Sequence, residues 1–154
     1  MSDDDFDMEG QPIDRAMELA SRVVHERVTD RLDFAGLWLD TRAHETHIAF
    51  AGRDVSDTVA DLQAEVPSEV RLRGHEFQHP MSELEALASA TSDYLGREGY
   101  WALYGVGLGI QVKTNRVHLN LTHTTPSEIE KAIRARFAGA PLEIELTTMR
   151  WVAQ

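Results

Sequence analysis

Two stretches of this 154-residue chain, led by Gly36 and Gly109, alternate apolar with small or polar residues at a period of two, which suits strands and not helices. In the first, residues 34–40 and 47–52 flank the polar run TRAHET, so they read as a β-hairpin with Leu37 and Leu39 on the same face as Ile48 and Phe50. In the second, Leu108, Ile110 and Val112 are answered by Val117, Leu119 and Leu121 around KTNR, where Asn115 tolerates a left-handed backbone.

Each hairpin precedes a helix and then a strand. After the first, Asp54 or Ser56 is expected to cap a short helix carrying Val59, Leu62 and Val66, closed by Pro67, and Val70 and Leu72 open a third strand. After the second, Thr125, Pro126 and Glu128 supply cap, first-turn proline and capping-box partner for a helix with Ile129, Ile133 and Phe137. Gly139 stops it, and Leu142, Ile144 and Leu146 make the last strand. Matching residues 36–72 to 109–144 at an offset of 72 or 73 makes the chain an internal duplication of a ββαβ unit.

Two longer helices complete the expectation. One starts at Pro12 and repeats Ile13, Met17, Ala20, Val24, Val28 and Leu32 at helical spacing. The other opens on a Ser82/Glu85 capping box and carries Leu84, Leu87, Ala88, Thr91 and Leu95 to about Gly96, with Gly99 releasing the chain. The fold class is therefore α+β: duplicated ββαβ units, each a small antiparallel or mixed sheet with helices on one face, plus two longer helices that complete a shared core. The organisation is an acidic, disordered tail over 1–11, a first subdomain over 12–80 and a second over 81–154.

Composition narrows the partners. A net charge of -11 repels phosphate backbones and anionic membranes, so neither nucleic acid nor a membrane surface is expected. No stretch approaches the roughly 20 apolar residues needed to cross a bilayer. Cysteine is absent, which excludes disulfides and thiolate metal sites. The start, MSDDDFDMEG, lacks the basic and apolar regions of a secretory signal, so the chain as encoded is expected in the cytoplasm.

The sharpest chemical motif is HEFQH. On a helix, His75 and His79 would share a face and hold zinc, with Glu76 as general base, and Glu98, His118 or His123 could supply a third ligand. The lead-in VRLRG alternates like a strand, however, and Pro80 pushes His79 out of the helical region. On a strand the two imidazoles stand about 13 Å apart, too far for one metal. His44, His47, His118 and His123 have no ligand spacing and read as surface groups. GVGLG, residues 105–109, runs into a strand rather than a helix, so its glycines serve a bend or a close backbone approach. Most of Trp38, Trp101, Trp151, Tyr94, Tyr100 and Tyr104 are expected in the core, with enough aromatic surface left to anchor an interface.

FAGLWLD (34–40) and VKTNRVHLNL (112–121) resemble the paired hairpin signatures in the pro-regions of secreted bacterial chymotrypsin-like serine proteases, the α-lytic protease and streptogrisin group. The resemblance spans roughly residues 34–149 by the repeat reading. It implies two sheet-plus-helix subdomains that hold a protease, assist its folding and inhibit it. It also implies that the segment after the last strand, Met149, Arg150, Trp151, Val152, Ala153 and Gln154, threads the protease like a substrate. The expectation is thus a non-enzymatic protein-binding module without a cofactor, with a serine protease as partner. The alternatives are a small zinc hydrolase built on HEFQH and a structural domain whose edge strands pair with a second copy, as in a homodimer.

Overall fold

The computed structural model describes residues 14–52 and 55–148, which form two compact units dividing after Ser82. In the first unit α1 spans Arg15–Val28. Asp14 caps it by accepting the Met17 backbone N–H at 2.8 Å, which satisfies one of the first-turn donors that have no partner within the helix. Its buried stripe is Met17, Ala20, Val24 and Val28. The helix stops there, and Leu32, the last member of the expected periodic series, lies beyond it and is 91% exposed.

β1 (Phe34–Asp40) and β2 (Glu45–Ala51) form the hairpin, joined by a four-residue turn in which His44 adopts φ 53°. α2 (Ser56–Gln63) then carries the chain across to β3 (Arg71–Phe77), which pairs with β2 in parallel, giving the sheet order β1-β2-β3. The expected Ser56 cap is corrected: Val55 occupies the cap position without a side-chain bond, and Asp54 falls outside the described residues. Gln63 fixes the end of the crossover, donating to the Val70 carbonyl and accepting from the Leu72 N–H, each at 2.8 Å. Ile48, Phe50, Val70 and Leu72 meet the α1 stripe with Val55, Leu62 and Val66, and Leu37 and Leu39 pack against this core as their alternation requires.

The second unit repeats the plan. α3 (Met81–Arg97) begins one residue before Ser82, which therefore lies inside the helix instead of capping it. Gly99, at φ 75°, turns the chain into α4 (Tyr100–Tyr104), a short helix that the alternation of the following strand concealed. β4 (Gly105–Gln111) and β5 (Arg116–Thr122) are antiparallel, α5 (Ser127–Arg136) crosses over, and β6 (Leu142–Thr147) lies parallel to β5. At Gly105 a Cβ would stand 2.7 Å from the Trp101 ring and carbonyl, so the strand starts on glycine because the backbone comes that close. The expected Thr125 cap is also corrected, because its hydroxyl donates back to the Thr122 carbonyl at 2.7 Å and Pro126 takes the cap position. Gly139, at φ 82°, follows the helix end as expected. Leu95, Leu119, Leu121 and Ile133 form the core, with Tyr94, Tyr100, Tyr104 and Phe137 packed on it.

The protein is therefore an α+β chain of two ββαβ units, each preceded by a longer helix. Among the described residues no helix is long and apolar enough to cross a membrane. The repeat register is fixed by two irregularities: a β-bulge falls between Phe34 and Gly36 and between Gly105 and Gly107, and the left-handed turn residues are His44 and Asn115. Gly36 thus matches Gly107, not Gly109. The expected offset was two residues too long on the hairpin, a slip that preserves which side chains face inward.

Candidate functional site

On the sheet face opposite the first core, four rings gather: Trp38 from β1, His47 from β2, and His75 and Phe77 from β3. Alternation puts them there. Trp38 lies opposite His47, while Ala49 pairs with Gly36 on one side and with His75 on the other. The small Gly36 and Ala49 leave room for large rings to lean across β2. The indole stacks on His47 at 5.1 Å and 5°, on His75 at 4.8 Å and 28°, and on Phe77 at 6.0 Å and 6°.

The two imidazoles meet edge to edge. His47 Nδ1 and His75 Nε2 are 2.8 Å apart with ring planes at 23°, the geometry of an in-plane hydrogen bond that one proton serves. The bond continues as a polar chain: His47 Nε2 lies 3.2 Å from Glu45 Oε2, and that oxygen lies 3.4 Å from Arg73 Nε. Burial, and then the neighbouring His47, lower the His75 pKa below its ordinary 6.5. One imidazole donates and the other accepts across this bond, and Glu45 stands at the second ring nitrogen of His47.

The second unit keeps the same histidine and changes its surroundings. His118 occupies the place of His47, and its Nε2 lies 3.1 Å from Glu145 Oε2, the residue in the place of His75. Its Nδ1 lies 3.1 Å from Gln111 Nε2. Gly109 replaces Trp38, so the cross-strand neighbour of this histidine carries no ring.

The HEFQH segment does not form a helix. His75, Glu76 and Phe77 continue β3, and the strand ends before His79 and Pro80. Alternation sends Glu76 to the face opposite His75, and His75 Nε2 is directed at His47, so the helical zinc reading is corrected. Among the described residues no group of three histidines, aspartates or glutamates is placed to hold a metal ion. His44 pairs with Asp14 at 3.0 Å beside the hairpin turn, and His123 is exposed after β5. The segment Met149 to Gln154, with Trp151, lies outside the described residues.

The other feature of note is the edge that each third strand forms, one of the two edges of its sheet. β3 and β6 run in unbroken register along their inner neighbours and have no strand on the far side among the described residues. Equivalent outward positions carry opposite charge: Arg73 on β3 matches Glu143 on β6 through their pairing with His47 and His118. Compared with known protein families, curated proteins and solved structures, the chain matches none.

Proposed function

We propose that this chain is a non-catalytic protein-binding module that takes an extended segment of its partner onto the open edge of a third strand. One observation carries the reading: β3 and β6 are regular strands of seven and six residues with no strand on the far side among the described residues, and at the start of β3 the Gln63 side-chain amide, bonded to the Val70 carbonyl and the Leu72 N–H, stands where such a strand would. Such an edge is a row of N–H and C=O groups ready for another strand, with main-chain bonds giving affinity and alternate side chains giving selectivity. The leading strands β1 and β4 carry bulges, a device that twists an edge away from pairing. The hairpin resemblance to protease pro-regions makes a secreted chymotrypsin-like serine protease the first partner class to try, with inhibition and assisted folding as the roles.

Two assays test it on the full chain. Bacterial proteases of this class are titrated with the protein while hydrolysis of a peptide substrate is followed, and denatured protease is diluted into buffer with and without it. Inhibition at micromolar concentration or below and a raised yield of active protease are expected. Absence of both inhibition and capture at micromolar concentration removes the protease as partner.

A further inference from the structure

The third strands of the two units are equivalent in position and opposite in charge. On β3 the outward series is Arg71, Arg73, His75 and Phe77, and on β6 it is Glu143 and Glu145. Arg71 and Glu143 are exposed, and the side chains of Arg73 and Glu145 are 48% and 63% exposed. A chain with a net charge of -11 that places two arginines on one edge strand offers that edge to an acidic strand. Its own β6 is such a strand.

We propose that β3 of one copy pairs with β6 of a second copy, so that the molecule associates with itself through unlike edges. This rests on the strand-addition reading above and names one occupant of those edges. In an antiparallel register that sets Arg71 opposite Glu145, Arg73 falls opposite Glu143. On the other face Leu72 then falls opposite Ile144, both of which belong to the helix-covered side of their own sheets, and the incoming strand replaces the Gln63 amide that holds the Leu72 N–H in the single copy. Cross-strand pairs of opposite charge stabilise a sheet and like charges directly opposite oppose it, so these four residues select the partner edge while backbone bonds hold it. Self-pairing occupies the edges a protein partner would use, so the two compete.

The test uses two full-length charge variants and their mixture. Arg71→Glu/Arg73→Glu makes both edges acidic, and Glu143→Arg/Glu145→Arg makes both basic. Sedimentation of the wild type across a range of concentration is expected to show reversible association, and each variant alone should need about tenfold higher concentration to associate. Mixed in equal amounts, the variants present acidic edges to basic ones, and association should return to near the wild-type level. That recovery cannot come from misfolded protein, and circular dichroism checks each variant separately. A wild type that stays monomeric at 100-fold the micromolar range, or a mixture that stays as dissociated as its components, overturns the proposal. A monomer that still captures a protease sinks self-pairing alone, whereas self-association without any protease capture sinks the protease partner alone.

Discussion

Thr46 on β2 faces the first core, is fully buried, and its hydroxyl finds no hydrogen-bond partner among the described residues. The matching position in the second unit is Val117, placed by its pairing with Ile110 as Thr46 is by Leu39. Replacing the hydroxyl with a methyl of the same shape removes an unmet polar group, so Thr46→Val is expected to stabilise the protein by about 1 kcal/mol, read from urea unfolding. His75 gives a pH dependence of definite sign. Its folded pKa is depressed, so the unfolded chain takes up the proton first as pH falls below 6.5. The stability linked to this group is fully present above that pH and is lost as pH drops through the lowered folded value. His75→Gln should therefore flatten the acid side of the stability curve, and the gap between wild type and variant should change across that window and be constant above it. The ring cluster itself was only half legible in the sequence. The hairpin alternation sets Trp38 against His47, but His75 joins them through a parallel pairing whose register no local pattern specifies.

At the scale of elements, the contrast between the two crossovers lies in how near each helix approaches its third strand. A Cβ on Gly74 would stand 2.3 Å from Val55 Cγ2 and 2.8 Å from Val59 Cγ2, so α2 lies directly on β3. The corresponding residue under α5 is Ile144, given by its pairing with Leu119 as Gly74 pairs with Ile48. Gly74→Ala should push α2 off the sheet at a cost of about 1–3 kcal/mol, measured by thermal or urea unfolding. A smaller loss, within a few tenths of a kcal/mol, would mean that the helix shifts freely. Strands, hairpins and the amphipathic stretches of α1, α3 and α5 were legible because period and face are written in consecutive residues. Helix starts were not. Ser56, Ser82 and Thr125 are good caps by type, yet Val55 and Pro126 hold the cap positions and Ser82 is already helical. α4 escaped notice because five residues show too little of a helical period to compete with the strand that follows.

For the whole molecule, duplication explains why a chain of this size builds two cores instead of one: each hairpin, crossover and third strand closes its own apolar cluster. What the copies did not keep is charge. The third strand became basic in one unit and acidic in the other, which gives a single polypeptide a head and a tail. A joint made from unlike ends leaves one of each free at the extremities of any open series. Copies paired as proposed would either come round to meet the first, giving a ring of fixed membership, or continue into a filament that lengthens with concentration, and the rotation from one copy to the next would select between them.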